Sequence, residues 1–305
     1  MRYCITGAAG NISKPLALHL LKTDHHVRVI GRNHNHLKEL EDAGAETAIG
    51  SVEDVSFLKR SFSGVDAVYT MCPPNFMPEG FIAYAEKIGK NYREAIAANK
   101  IAHVVNLSSV GAHLPGGTGH ITGMYKIEQE LNELQNVNIF NLRPVYFYTN
   151  FFSQIDMIRN LGIMGSNFSM ETNRFPIVHP SDIATVAAQK LQSLDFQGIN
   201  TEYIASDERS TSEIASVLGK AISKPDLKWT KFADEQMLEA LIQSGIPQKS
   251  AQELTQGFHA IDTGKLFEHY WANHPTLQKQ KLEDFASQFA QVYAAGTAVY
   301  EQAKN

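Results

Sequence analysis

Cysteine is scarce. Cys4 and Cys72 are the only two in 305 residues, and each lies at or near a strand-like stretch. Two isolated thiols make neither a disulfide framework nor a zinc site. Buried core thiols are the commoner reading, and no metal is expected. Lysine and arginine form no long run, the net charge is −5 and the sequence pI is about 6.2. That balance argues against phosphate-driven binding, so no nucleic-acid partner is expected. No uncharged stretch reaches transmembrane length. The N-terminus lacks a charged region followed by a long apolar stretch and a small-residue cleavage site. A soluble cytoplasmic protein with no membrane contact is the expectation. No internal repeat, low-complexity tract or clear flexible linker interrupts the chain. What is abundant is apolar: 43% of residues are hydrophobic, enough for a sizeable core in one large domain or two modest ones.

The first thirty-three residues carry the most information. Arg2 to Thr6 reads as a strand, Gly7-Ala8-Ala9-Gly10-Asn11-Ile12-Ser13 as a glycine-rich turn, about Ile12 to Leu21 as a helix, and Val27 to Ile30 as a second strand. Gly7 lets the chain turn sharply out of the first strand. Gly10 lets the backbone approach phosphates. The helix that follows offers unpaired N–H groups and the positive end of its dipole. Ser13 stands where a third glycine would allow close helix–strand packing, and it is small enough to preserve it. An ordinary strand-to-helix turn is the plain alternative, but its place between two strands favours a dinucleotide site. The second strand ends in Gly31 and Arg32, with no carboxylate to bind ribose hydroxyls. A guanidinium there can grip a 2′-phosphate, so NADP(H) is preferred over NAD(H). Asn33, His34, His36 and Lys38 are further donors nearby.

Strands and helices then alternate. Helices are expected over His34 to Ala43, Glu53 to Phe62 with Ser51 as N-cap, up to about Asn99, and Thr122 to Leu134. Strands are expected over Glu46 to Ile49, Asp66 to Thr70, Ala102 to Leu107 and Asn138 to Leu142. Such a pattern indicates a parallel sheet covered on both faces. Ligands of these sheets sit outside the carboxyl ends of the strands. Those ends carry Gly7, Arg32, Ser51, the Cys72-Pro73-Pro74 turn and Ser108-Ser109. The glycine-rich loop Gly111 to Gly119 is either a flexible cover or a plain linker. Beyond residue 150 the pattern loosens. Asn150 to Asn160 looks helical and Phe175 to Pro180 extended, with a helix beginning at Ser181 or Asp182 and His179 structural. A strand over Thr201 to Ala205 and a helix over Ser212 to Lys220 follow. Residues 232–260 and 281–303 read as amphipathic helices. Phe258, Leu266, Phe267, Tyr270 and Trp271 either close a core or wall a cleft.

Several stretches resemble the NmrA-like branch of the atypical short-chain dehydrogenase/reductase family. They are Ile5 to Gly10, Val29 to Asn33, Gly64 to Val68, Leu107 to Ser109, Leu142-Arg143-Pro144 and His179 to Ala184, in the order the family uses. The resemblance implies a doubly wound parallel Rossmann-type sheet with a smaller, mainly helical C-terminal substrate-side lobe. The division expected is 1–150 for the NAD(P)-binding domain and 151–305 for the lobe, interleaved with the first. It also implies an NAD(P)H-dependent oxidoreductase acting on a quinone-like or other small conjugated carbonyl acceptor. The alternative is a non-catalytic NADP(H) sensor that acts through a protein partner. Active members of the wider family carry Tyr-x-x-x-Lys on one helix, one turn apart on one face. Lys126 fits the lysine place, but Thr122 stands four residues before it, and a threonine is a poor general acid. Pairing of Lys126 with Glu130 is the structural alternative. The expected catalytic positions are Lys126 and Thr122. The expected cofactor contacts are Gly7, Ala9, Gly10, Asn11, Ile12, Arg32, Ser51, Cys72, Pro73, Pro74, Ser108, Lys126 and Tyr146. Tyr146 and Phe147 are expected to stack against a flat substrate. His120 is a weaker candidate proton donor.

Overall fold

A computed structural model describes residues 1–76 and 79–296. In chain order the first half runs β1 (Arg2–Ile5), α1 (Ser13–Leu21), β2 (His26–Gly31), α2 (His34–Asp42), β3 (Glu46–Ile49), α3 (Val55–Ser61), β4 (Ala67–Met71), α4 (Phe81–Asn99), β5 (His103–Leu107), α5 (Ile121–Asn132) and β6 (Asn138–Pro144). The second half runs β7 (Tyr146–Phe147), α6 (Ile155–Leu161), β8 (Met164–Ser166), β9 (Phe175–Val178), α7 (Pro180–Ser193), β10 (Ile199–Ile204), β11 (Asp207–Arg209), α8 (Thr211–Ala221), β12 (Trp229–Lys231), α9 (Asp234–Gln243), α10 (Gln248–Asp262), α11 (Glu268–Asn273) and α12 (Leu282–Ala295).

Seven strands form one sheet in the order β10-β6-β5-β4-β1-β2-β3, every neighbouring pair parallel. Short β-branched runs such as Val27 to Ile30 and Val104-Val105 suit strands buried on both faces. Alternate residues serve opposite sides. Tyr3, Ile5, Val27 and Val29 pack with Leu16 and Leu20 of α1 and with α2 and α7. Cys4, Ile30, Val68 and Val104 pack with Leu58, Phe62, Ile88, Tyr92 and Ile127 of α3, α4 and α5. The winding reverses between β1 and β4, which opens a crevice outside their carboxyl ends.

The second half adds a three-stranded sheet, β11-β9-β7, a two-stranded sheet, β12-β8, and the remaining helices. An aromatic core joins them: Phe152 stacks on Phe289, Phe285 meets both at a tilt, and the Phe168 and Phe175 ring centres lie 5.3 Å apart. Leu266, Phe267 and Tyr270 are buried, whereas Phe258 and Trp271 are half-buried. Among the described residues no helix is long and apolar enough to cross a membrane.

Several boundaries differ from the sequence reading, each for a local reason. Asp54, not Ser51, caps α3, accepting from the N–H groups of Ser56 and Phe57, while Ser51 closes a turn to the Glu53 N–H. His179 itself caps α7 by accepting from the Ser181 N–H, so the cap is neither Ser181 nor Asp182. The 232–260 stretch breaks into α9 and α10 at Gly245, whose φ is +91°, followed by Ile246 and Pro247. Residues 148–154 form a 3-10 turn before α6. The helix expected over 281–303 is α12 up to Ala295, and its part beyond residue 296 lies outside the described residues.

A buried carboxylate adds a polar tie between the two halves. Gly80 precedes α4 and offers no side-chain cap. Glu253 of α10, 4% exposed, instead accepts from the N–H groups of Phe81 (2.6 Å) and Ile82 (3.3 Å). A charged acceptor at a helix N-terminus satisfies two orphan donors and meets the positive end of the dipole. Glu253→Ala should therefore lower stability by about 1–3 kcal/mol, read by denaturant unfolding. An unchanged midpoint would contradict a capping role.

Candidate functional site

The crevice is built on the turn after β1. Gly7 has φ +63°, and a Cβ there would lie 2.5 Å from the Met71 sulfur at the end of β4. The Gly10 N–H donates to the Gly7 carbonyl at 2.9 Å, and the Ala8 N–H donates to Ile30 of β2. Ala9, Gly10 and Asn11 are exposed, while Ala8, Ile12 and Ser13 are buried beneath them. Ser13 does fit the tight helix–strand contact. No side chain caps the N-terminus of α1. The turn therefore holds exposed backbone and uncapped N–H groups at the switch point, a geometry that suits a pyrophosphate.

Buried hydroxyls hold this floor. The Thr6 hydroxyl donates to the Tyr69 carbonyl and accepts from the Met71 N–H, both at 3.1 Å. The Tyr92 hydroxyl of α4 donates to the Met71 carbonyl at 2.7 Å. One layer over, Thr70 donates to Asn106 and Asn106 to Asn141, linking β4, β5 and β6.

At the end of β2, Arg32 is exposed and makes no ion pair among the described residues. Its neighbours are committed elsewhere: Asn33 caps α2, His34 pairs with Glu41, and Lys38 pairs with Asp42. Burial pushes the Tyr84 phenol of α4 up, while Arg32 and Asn75 act in the opposite sense. Tyr84 and Asn75 thus face the same corner as Arg32, a feature the sequence reading missed. Cys72 is half-buried, and burial pushes its thiol up, which disfavours the thiolate. Cys4 is buried, its thiol pushed up to about 12 by desolvation.

Beyond β5 the expected residues are engaged in ways that spacing alone did not reveal. Ser108 donates to Glu128 Oε1 at 2.5 Å. Glu128 is 4% exposed at its side chain and grips Arg143 with both oxygens, at 2.9 and 2.5 Å. Its signal was available: Glu128 falls on the buried stripe of α5 beside Ile127 and Leu131. Thr122 is also buried, its hydroxyl 3.1 Å from that of Thr118. Lys126 is one turn along but sits 4.0 Å from Glu86 of α4, and Glu130 pairs with Arg93 instead. The Gly111–Gly119 loop packs down: at Gly119 a Cβ would run into the backbone of Glu253 and Gly257.

Aromatic rings stand over this end. Tyr146 lies 5.4 Å from Phe151, 6.1 Å from Phe168 and 5.0 Å from Phe175. Phe258 bridges Phe168 and His120, and His120 meets Phe81 edge-on. Phe147 pairs with Val178 on the adjacent strand and is half-buried. Desolvation pushes the His120 imidazole down to about 4, so it is neutral at pH 7.

The model of the NmrA-like family matches residues 2–291. The chain belongs to the NmrA-like family. Its fold is the NAD(P)-binding Rossmann fold of the atypical short-chain dehydrogenases/reductases. It is 25% identical over 228 residues to a (4-alkanoyl-5-oxo-2,5-dihydrofuran-3-yl)methyl phosphate reductase of Streptomyces griseus, covering 73% of this chain and 76% of that protein. It is 22% identical over 295 residues to an NAD(P)H azoreductase of Xenophilus azovorans, covering 95% of this chain and 97% of that one. Its fold matches an NADPH-dependent quinone oxidoreductase of Escherichia coli, solved with NADPH, at a TM-score of 0.77 and 17% identity, covering 94% of this chain and 99% of that one. Distant relatives of this family member are therefore reductases, one of them an NAD(P)H azoreductase.

The two glycines of the turn should respond differently to a side chain. Gly7→Val meets Met71 and a left-handed φ, and should cost about 2–4 kcal/mol from both effects together. Gly10→Val has no left-handed φ and only the Gly7 carbonyl nearby, at 3.2 Å. It should fold with near-native thermal stability. Equal destabilisation of both variants would contradict this account of the turn.

Proposed function

We propose that this chain is an NADPH-dependent reductase of flat, conjugated acceptors, quinone-like or similar. The observation that carries the reading is the aromatic group around Tyr146, beside a helix that lacks an acid–base phenol. Thr122 cannot replace that phenol, because a hydroxyl is a poor acid and this one is already bonded to Thr118. An electron-poor conjugated acceptor needs little help from a protein acid, since the charge it gains is delocalised. Nicotinamide, when bound, supplies the hydride. The chain's own part is then to bind, orient and exclude water.

Roles follow for individual residues. The N–H groups of Asn11 and Ile12, with the backbone of Gly7, Ala9 and Gly10 beside them, hold the pyrophosphate. Arg32 takes the 2′-phosphate, with Tyr84 and Asn75 beside it. Ser51, Cys72, Pro73 and Pro74 line the path of the adenosine half. Ser108 positions the nicotinamide end through Glu128. Lys126 is a cofactor contact only after leaving Glu86, which an exposed pair at 4.0 Å allows at little cost. Tyr146 and Phe147 face the acceptor. The names of the relatives support this reading, because azo, quinone and unsaturated furanone groups are all flat electron acceptors. One observation favours a second reading, a non-catalytic NADP(H) sensor with a protein partner: both hydroxyls nearest the expected chemistry, Ser108 and Thr122, already have internal partners.

NADPH oxidation followed with a panel of quinones and enones tests the function. Acceptor-dependent turnover is expected, and tight NADPH binding with no turnover on any acceptor would favour the sensor. Arg32→Ala should weaken NADPH by roughly tenfold or more and leave NADH nearly unchanged, as expected for loss of a charge-assisted contact. Equal losses for both dinucleotides would overturn the 2′-phosphate assignment.

A further inference from the structure

A second cavity, of about 380 Å³, lies away from the dinucleotide turn, at the β6–β10 edge of the sheet. Its lining is polar: Arg143, Thr201, Tyr203, His269, Asn273 and Pro275. No aromatic slot suited to a flat acceptor opens into it. The volume is within the usual range for a small-molecule site.

Its chemistry has one sign. The Arg143 side chain is 11% exposed and forms the floor. A guanidinium has five N–H donors. Two go to Glu128 and one to the Tyr203 hydroxyl at 3.3 Å, which leaves two. Tyr203 accepts that bond, so its own proton is free to donate outward. The Thr201 hydroxyl is a further donor on the same strand, two residues before Tyr203. Glu128 does not make this a cation site. Its Oε1 accepts from Ser108 and Arg143, and its Oε2 accepts from Arg143.

The wall beside Arg143 includes His269, which is backed by a second imidazole, His113. His113 and His269 stack face to face at 3.8 Å, with planes 8° apart. The His113 Nδ1 is buried with no hydrogen-bond partner in the chain. Desolvation, then His269 and Arg143, push the His113 imidazole down to about 4. Unspent donors of Arg143, Tyr203 and Thr201 on one side of a cavity are what an oxyanion would satisfy.

We propose that this cavity is a binding site for a small oxyanion, a carboxylate or a phosphate, held by Arg143, Tyr203, Thr201 and His269. The site is separate from the proposed dinucleotide cradle and does not depend on any reductase activity. Arg143 and Tyr203 stand near the carboxyl ends of β6 and β10, and Glu128 links Arg143 to Ser108.

Calorimetric titration of the whole protein with inorganic phosphate, and separately with succinate, tests this. At least one of the two should bind saturably. The double variant Thr201→Val, Tyr203→Phe keeps side-chain shape and should weaken that binding about tenfold or more, because it removes two donors to a charged group. Arg32→Ala should leave it unchanged, which separates this site from phosphate lodged in the dinucleotide turn. In the unmodified protein the imidazole NMR signals of His113 and His269 should move on addition of the bound anion. No saturable binding of either probe, binding lost in Arg32→Ala but kept in the double variant, or binding that leaves both imidazoles unmoved would each overturn the proposal.

Discussion

Everything at the mouth of the sheet depends on how closely β1 and β4 end beside each other. Gly7 must pass against Met71, and no side chain fits between them. The Thr6 hydroxyl and the Tyr92 phenol then lock the two strand ends through Met71. With that contact fixed, the chain can only leave β1 by a left-handed glycine. α1 begins with no side-chain cap, and the turn's backbone is exposed beside it. A binding surface for a pyrophosphate is thus a consequence of strand packing, and no specialised side chain is needed to make it.

The second half of the chain acts on this surface from above. Glu253 reaches down to cap α4, and α10 presses on the Gly111–Gly119 loop at Gly119. That contact covers Thr118 and Thr122, so the hydroxyl pair faces inward. Tyr146 and Phe258, both half-buried and packed on the buried Phe168, remain as the ring surfaces at the same end. A site of this composition favours orientation over proton transfer. Glu128 has a different part. By holding Ser108 on one side and Arg143 on the other, it ties β5, α5 and β6 together and sets the polar edge of the sheet.

Much of the Rossmann half was legible in the sequence because its signals are local. Gly7 and Gly10, the β-branched strands and the carboxylate-free end at Arg32 each act within a few residues. The bounds of β3 match the expected ones, and those of β5 and β6 differ by one or two residues. What was not legible depends on distant partners. Thr122 and Lys126 have the right spacing, but their environments are decided by Thr118, Glu86 and the packing of α10. The two small sheets rest on strands of two to four residues, too short for any periodicity to appear. The caps went to Asp54 and His179 because hydrogen-bond geometry selected among several nearby polar residues. Arg143 was visible as part of a motif, but the cavity above it needs α11, which lies more than a hundred residues away in the chain.

The central claim is that the Gly7–Ile12 turn and Arg32 form the two ends of one dinucleotide seat. The most direct test is a crystal structure grown with NADPH. The account predicts a pyrophosphate on the N–H groups of Asn11 and Ile12, the 2′-phosphate on Arg32, and the nicotinamide at the Ser108 and Tyr146 end. A dinucleotide bound with its pyrophosphate away from the turn, or with Arg32 left in solvent, would contradict it.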